Sequence, residues 1–211
     1  DLVSSRGLGD VYKRQILLRS IILEVIFVSF LLYGGKFGDV KLAANQVLLQ
    51  FLHIAAHGLD GFALAAETLV GQAFGKKDRS ILRKSIIVSS KLAFLLSCIM
   101  AISFLLFGSS LIDLMTTAEN VRLEAKSYII FITLVPILGV SAYMLDGIFI
   151  GATKTKDMRN MMFISLIFYV IALLLLVPYF QNTGLWSALL ISFIVRGATL
   201  AFRYPSLEKS I

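Results

Sequence analysis

The chain has 211 residues, of which 58% are hydrophobic, more than the roughly 45–50% usual for soluble domains, and its mean hydropathy is +0.86. Charged residues make up 16% and collect in short clusters between long apolar runs, which is typical of a membrane protein with several transmembrane helices. The formal net charge of +7 therefore indicates basic loops at a membrane surface, and it argues against nucleic acid binding. The single cysteine, Cys98, excludes an intrachain disulfide framework.

Residues 1–15 (DLVSSRGLGDVYKRQ) are polar and lack the charged-then-apolar layout of a signal peptide. The string resembles translated sequencing-adapter read-through, so we expect a non-native segment here, with an ordinary cytoplasmic linker as the alternative. The sequence then divides into this segment, a membrane-spanning region over residues 16–203 and a cytoplasmic tail over residues 204–211.

The membrane-spanning region contains six apolar segments, most of them close to the roughly 20 residues that cross a bilayer. Their approximate ranges are 16–33, 42–74, 86–107, 128–150, 161–180 and 185–202. We therefore predict an all-α polytopic membrane protein with six transmembrane helices. The second helix is long enough that it should tilt, bend or project beyond the membrane. Pro136 should kink the fourth.

Basic residues are most frequent at both ends of the chain, after the second segment and after the fourth. The positive-inside rule assigns these regions to the cytoplasm, so both chain ends are predicted to be cytoplasmic. Arg19, near the start of the first segment, is counted with this cytoplasmic set. Trp186 begins the last segment on the other side and is interpreted as an interfacial anchor.

The second segment carries polar residues along one helical face. At alternating intervals of four and three residues it presents Gln46, Gln50, His53, His57, Asp60, Leu64, Glu67 and Gly71, which we call the polar seam. An ionised side chain at bilayer depth costs at least about 2.5–3.5 kcal/mol on insertion scales, so such a face must meet protein or water. We interpret the polar seam as a polar path or ion site between helices. Glu67 lies near the cytoplasmic end, where snorkelling to the basic loop explains it equally well.

Three different segments each bring a carboxylate towards the membrane interior, through Glu24, Asp60 and Asp146. Carboxylates suit a cation pathway because they exchange a proton for a metal ion or an organic cation. The alternative is that each acid pairs with a basic or hydrogen-bonding neighbour and only fixes helix packing.

Five further residues complete the set predicted to bind substrate or cation. His57 is one turn from Asp60 and is interpreted as a proton-sharing or hydrogen-bonding neighbour. Asn45 and Gln50 either line a cavity or hydrogen-bond between helices. Arg196 either snorkels to the surface or forms an ion pair with an inward-facing acid. Tyr143, one turn before Asp146, is the fifth member.

The spacing of His53, His57 and Asp60 would also suit a metal held on one helix. These are the only two histidines in the chain, and no second ligand pair such as C-x-x-C or H-E-x-x-H is present. An intramembrane metal-dependent enzyme is therefore an unfavoured alternative. We expect no enzymatic activity and no cofactor.

The second and fourth segments resemble each other. Leu59-Asp60-Gly61-Phe62 has a counterpart in Leu145-Asp146-Gly147-Ile148, and both segments end in a basic loop. Repeated units are common in transporters, where ligand sites lie between the repeats. Gly147-x-x-x-Gly151 in the fourth segment permits close helix approach.

Over about residues 18–202 the sequence resembles the multidrug and toxic compound extrusion (MATE) transporters, specifically the DinF-like subfamily. The resemblance is carried by four stretches, namely Leu42-Ala43-Ala44-Asn45-Gln46, Leu59-Asp60-Gly61-Phe62-Ala63 running on to Ala66-Glu67 and Gly71-Gln72-Ala73, Leu145-Asp146-Gly147-Ile148-Phe149 running on to Met158-Arg159-Asn160, and Arg196-Gly197. The two histidines are not part of the family pattern. Glu24 resembles, only approximately, a cation-binding glutamate of another MATE subfamily.

The resemblance implies one six-helix lobe of a twelve-helix transporter in a bacterial inner membrane. Such a protein exports organic cations or drugs in exchange for Na⁺ or H⁺, and this chain corresponds to its carboxy-terminal lobe. Its expected partners are the cation, the coupling ion, the lipid bilayer and an amino-terminal six-helix lobe, without which the chain should not transport. Neither the exported compound nor the choice between Na⁺ and H⁺ follows from the sequence.

Two rivals remain from the sequence. A related lipid-linked saccharide flippase would need a basic cavity for phosphate, whereas the polar seam is acidic and histidine-bearing. A purely structural membrane subunit is the other rival, and it would be favoured if no second lobe accompanied the chain.

Overall fold

The computed structural model describes the backbone of residues 2–211 and the side chains from residue 12 onward. This part of the chain is built from helices. Their bounds are α1 Leu2–Gly35, α2 Asp39–Lys76, α3 Arg79–Met115, α4 Glu119–Ser127, α5 Ile129–Gly151 and α6 Thr155–Glu208. The predicted non-native or linker segment, residues 1–15, falls mostly on residues whose side chains lie outside this description, and it stays a prediction.

The long helix α6 is two transmembrane helices joined by a sharp break at Gln181, where φ is 48° and ψ is −123°. A straight helix of 54 residues would be about 81 Å long, far more than a bilayer needs. After the break the chain runs back, since Ser165 Oγ donates to the carbonyl of Ser192 at 2.7 Å. We call residues 155–180 α6a and residues 182–208 α6b. With α1, α2, α3 and α5 they make the six predicted transmembrane helices.

The junction between α2 and α3 shows how a short polar sequence ends one helix and begins the next. Lys77 adopts the left-handed conformation (φ 54°) and closes α2. The side chain of Asp78 then accepts hydrogen bonds from the backbone N–H groups of Ser80 and Ile81, at 2.8 and 3.0 Å. This cap satisfies donors that the first turn of α3 would otherwise leave free.

The short helix α4 was not predicted from the sequence. It is mostly polar, but Val121 and Ala125 are buried one turn apart. Lys126 forms an ion pair with Asp113 at 2.7 Å, which joins α4 to the end of α3. The spacing of Val121 and Ala125 was the available signal, and it was hidden by the charges around it.

Helix α5 is the centre of the lobe and packs against α2, α3 and α6. It runs from Ile129 to Gly151 as one helix with Pro136 inside it. The outer faces of α3 and α6a expose rows of large apolar side chains, as expected for surfaces that meet lipid. The predicted tail, residues 204–211, starts as a continuation of α6b, which runs to Glu208.

Candidate functional site

The polar seam of α2 lies on a face that the rest of the lobe leaves open. Its members from Gln46 to Leu64 are exposed, and Glu67 and Gly71 are half-buried. The opposite face of α2 carries Leu48, Leu52, Ala55, Leu59 and Ala66, all of them buried in the core. The 3.6-residue period of the helix therefore sorts the apolar side chains inward and the polar ones onto what we call the open face.

Two glycines of α5 set the distance between α5 and α2. A Cβ atom on Gly147 would lie 2.3 Å from the carbonyl oxygen of Ala63, and one on Gly151 would lie 2.4 Å from that of Glu67. No other residue fits at this separation, so the two backbones touch directly. The contact brings Asp146, the neighbour of Gly147, close to the part of the polar seam from Asp60 to Glu67.

A pocket of about 190 Å³ forms where α1, α2 and α5 meet. Helix α2 contributes Asp60 and Glu67, α5 contributes Tyr143 and Asp146, and α1 contributes Arg19. Tyr143, Asp146 and Gly147 share one face of α5 because they are three and four residues apart. The pocket thus collects ionisable groups from three helices.

Asp146 is held between two arginines. Its Oδ2 accepts a hydrogen bond from Arg19 Nη2 at 2.6 Å and lies 3.3 Å from Arg196 Nη2. The side chains of Asp146 and Arg196 are only 5% and 2% exposed, and that of Arg19 is 17% exposed. In a bilayer this cluster is stable only while the charges stay together.

Arg196 is also held by aromatic rings. Its guanidinium carbon lies 5.2 Å from the centre of the Tyr143 ring and 5.8 Å from that of Phe193. The sequence left two interpretations of Arg196 open, and its place beside Asp146 favours the ion pair over snorkelling. The guanidinium is buried in the core of the lobe against the Tyr143 ring, rather than extended to the surface of the lobe.

Asp60 has a different environment. Its side chain is exposed on the open face and lines the pocket. Among the side chains that the structure describes, none forms a salt bridge with Asp60. Its carboxylate is therefore available to a ligand in the pocket.

The charges of the pocket do not cancel. Arg19 and Arg196 face three carboxylates, those of Asp60, Glu67 and Asp146, so the formal charge of this set is −1. Because Asp146 is paired with both arginines, the excess negative charge lies on the α2 side of the pocket. The electrostatics of the pocket therefore favour a cation on the α2 side, beside Asp60 and Glu67, over one beside Asp146.

Glu24 does not join the pocket. It is exposed on α1 and lines a separate shallow depression with Val25 and Val28. Glu24 comes five positions after Arg19, so the two side chains point in directions about 140° apart around a helix with 3.6 residues per turn. The helix that turns Arg19 into the pocket therefore turns Glu24 away from it.

The other candidates of α2 lie further along the helix. Asn45 is fully buried, and it exchanges hydrogen bonds with Asn182 at 2.7 and 3.0 Å and accepts one from Trp186 Nε1 at 2.9 Å. Of its two interpretations, the hydrogen bond between helices is correct and the cavity lining is wrong. Trp186 is likewise a core residue with no exposed surface, so its interpretation as an interfacial anchor is wrong.

Gln50 and His57 are exposed on the open face. His57 Nδ1 lies 2.6 Å from the carbonyl oxygen of His53, on its own helix. Among the described residues, no group of three or more His, Cys, Asp or Glu side chains is arranged to hold a metal ion.

Arg19 is the residue that the sequence reasoning missed. The sequence predicts only that it lies on the cytoplasmic side near the start of the first segment, whereas the structure places it against Asp146, 127 positions further along the chain. The signal was present, because Arg19 falls within the first apolar segment, where an ionisable residue already calls for a partner.

The comparisons with known proteins agree with this architecture. The MatE family model matches residues 16–176. The chain is 36% identical to the DNA damage-inducible protein F of Escherichia coli over 189 residues, and 25% identical over 193 residues to the chloroplastic protein DETOXIFICATION 44 of Arabidopsis thaliana. These alignments cover 90% and 88% of the chain but 41% and 36% of the relatives, so the chain spans less than half of their length.

A crystal structure of a mutant of the Vibrio cholerae MATE transporter VcmN has the same fold. The TM-score is 0.91 at 15% identity, and the match covers all of this chain and 48% of the transporter. The family model and the E. coli relative together establish the relationship, and the members of this family are transporters rather than enzymes. The chain belongs to the MatE family.

Proposed function

We propose that the chain is one lobe of an antiporter that exports organic cations across the inner membrane of a bacterium. A second six-helix lobe would complete the transporter, since the alignments cover less than half of the curated relatives. The observation that supports this most directly is the open face of α2, which leads to a pocket where Asp60 forms no salt bridge with any side chain from residue 12 onward.

The open face has the properties of a cavity wall. In a complete lobe that worked alone, a face with two histidines and two acids would meet lipid at a high cost. Facing a second lobe across water, the same residues are solvated and can contact a solute. We therefore assign the open face to the cavity between two lobes, with alternating access produced by rocking of one lobe against the other.

The residues of the pocket have separate roles in this proposal. Asp60 binds the organic cation or the coupling ion, and Glu67 supports it from two turns further along α2. Asp146 positions Arg19 and Arg196 and does not contact the cation. Tyr143 contributes an aromatic wall and supports Arg196. Both Na⁺ and H⁺ suit a carboxylate such as Asp60 as the coupling ion.

We propose that both chain ends lie in the cytoplasm. Successive transmembrane helices run in opposite directions, so the α2–α3 and α5–α6 junctions lie at the same end of the lobe as the start of α1 and the end of α6b. Basic residues collect at this end, which the positive-inside rule assigns to the cytoplasm. The pocket then lies in the cytoplasmic half of the membrane.

The test is cation efflux by the two-lobe protein with Asp60→Asn. We expect efflux of a fluorescent organic cation to fall at least tenfold, because the substitution removes one of the two pocket carboxylates, Asp60 and Glu67, that form no salt bridge with a described side chain, and Asp60 is the more exposed of the two. Asp39→Asn is the matched control, since Asp39 is exposed in the first turn of the same helix and far from the pocket. Normal efflux by Asp60→Asn protein at normal membrane levels would reject the assignment.

A lipid-linked saccharide flippase is the second candidate, and the presence of Arg19 in the pocket is the observation in its favour. The two candidates predict different effects of Arg19→Gln and Asp60→Asn on transport. An anionic substrate would be transported less after Arg19→Gln and no less after Asp60→Asn, whereas a cationic substrate requires Asp60.

A further inference from the structure

A second, larger cavity lies behind α5, on the side away from the polar pocket. Its volume is about 410 Å³, and it is a groove between α3, α5 and α6b. Met144 and Ile148 line it from α5, whereas Tyr143 and Asp146 point into the polar pocket. The groove is therefore separate from the proposed transport cavity.

The groove is apolar along its length. On α3 it is lined by Ile86, Ser90 and Phe94, one turn apart from each other. From Ile86 to Phe94 the helix advances eight positions, or about 12 Å along its axis. This length is close to the roughly 15 Å depth of the hydrocarbon of one leaflet. Phe94 is 54% exposed, so the groove opens to the side, where lipid chains lie.

A charged cavity of about 320 Å³ continues the groove towards the end of the lobe where α3 begins. Ile86 and Tyr204 line both cavities, and Arg83 and Glu208 line only the second. Arg83 and Glu208 form an ion pair across α3 and α6b. Passing from Phe94 to Arg83, the surface thus changes from apolar to polar in the order of a phospholipid, from acyl chain to headgroup.

Positive charge dominates around this end. Besides Arg83, the first turns of α3 and the end of α6b and its C-terminus carry Arg79, Lys84, Arg203 and Lys209, against the acids Asp78 and Glu208. Basic sites between transmembrane helices on the cytoplasmic side favour anionic lipid headgroups.

We propose that this groove binds one anionic phospholipid of the cytoplasmic leaflet. One acyl chain lies along Ile86, Ser90 and Phe94, and the phosphate sits at Arg83, where it competes with Glu208 for the guanidinium. Tyr204, at the boundary between the two cavities, is placed to contact the glycerol region. The choice of leaflet rests on the proposed cytoplasmic position of the chain ends, whereas the lipid site itself is independent of the transported substrate.

The test is native mass spectrometry of the purified two-lobe protein after incubation with phosphatidylglycerol or with phosphatidylcholine of the same acyl chains. We expect retention of one phosphatidylglycerol. Ser90→Trp fills the groove and should lower this retention at least tenfold, while Val88→Trp, on the opposite face of α3, should leave it unchanged. Arg83→Gln should lower the preference for phosphatidylglycerol about fivefold. Arg79→Gln, one turn earlier and outside both cavities, should have less effect.

Three results would overturn the proposal. Equal retention by Ser90→Trp protein and the unmodified protein would show that the lipid binds elsewhere. Equal retention of phosphatidylglycerol and phosphatidylcholine, unchanged by Arg83→Gln, would show that the site does not recognise the negative charge of the headgroup. Ser90→Cys protein that fails to react with a small apolar thiol reagent after removal of lipid in detergent, in a background without other cysteines, would show that protein covers the groove. Arg83 is well exposed, so its substitution tests the headgroup even if Ser90→Trp disturbs folding.

Discussion

Asp60 and Asp146 occur in the same short motif, Leu-Asp-Gly, on two helices that run in the same direction and touch through their backbones. One aspartate is exposed on the open face, and the other is buried between two arginines. The two glycines that follow differ in the same way, since a Cβ on Gly61 would meet nothing and one on Gly147 would meet backbone at 2.3 Å. The same motif thus leaves a carboxylate exposed on one helix and packs it against basic partners on the other.

The largest difference in stability is expected between the asparagine variants of the two aspartates. Asp146→Asn leaves two guanidinium groups inside the lobe without their counter-charge, which should lower the free energy of unfolding by about 3–5 kcal/mol. Asp60→Asn should change it by no more than about 0.5 kcal/mol. Chemical unfolding of the purified protein in detergent micelles measures both. Equal losses would mean that the two sites are not distinct.

The glycines give the same comparison without any charge. Gly147→Ala forces α5 away from α2 and should lower the free energy of unfolding by about 1–3 kcal/mol. Gly61→Ala lies in open space and should raise it by roughly 0.5–1 kcal/mol, because alanine is the better helix former. The midpoints of thermal unfolding of the two variants, measured by circular dichroism, should shift in opposite directions. A shift of both midpoints in the same direction would contradict this comparison.

Asn45 and Gln50 extend the comparison to the amino-terminal half of α2. Asn45→Ala removes the partner of Asn182 and Trp186 and should lower the free energy of unfolding by about 1–3 kcal/mol, since the buried donors Asn182 Nδ2 and Trp186 Nε1 lose their acceptor. Gln50→Ala, on the open face, should be within about 0.5 kcal/mol of the unmodified protein. The same unfolding measurement applies, and a neutral Asn45→Ala would show that water replaces the amide.

The smallest effect sharpens the assignment of Asp146 to its arginines. Adding Arg19→Gln to Asp146→Asn removes one of the two uncompensated charges and should recover about 0.5–3 kcal/mol of the lost stability. A double-mutant cycle in detergent measures this coupling. If the double variant is no more stable than Asp146→Asn alone, Arg19 is not the relevant partner.

Much of the fold was predictable because it depends on local pattern. The six transmembrane helices follow from segment length and hydropathy, and the open face of α2 follows from the spacing of its polar residues. Gly147-x-x-x-Gly151 indicated a close helix contact, and the structure shows it. Each of these features is written within one segment of the sequence.

The pairing of charges was not predictable, because it depends on residues far apart in the chain. Arg19, Asp146 and Arg196 lie on three helices, and no spacing within one segment shows that they meet. For the same reason the sequence treated Asp60 and Asp146 alike and placed Glu24 beside them. Only the rotation of each helix about its axis, which packing decides, separates the exposed acid from the buried one.

The direct backbone contact of α5 with α2 also constrains how the lobe can deform. With no side chains between them at Gly147 and Gly151, these two helices have no layer that could slide or repack, so we expect them to move together as one rigid unit. We therefore expect a widening of the space around Asp60 to come from a movement of α1, which the described side chains join to α5 at this level through the ion pair of Arg19 with Asp146. Breaking that ion pair would free α1 to move at this level, and the distance between the two aspartates would stay constant as the lobe changes shape.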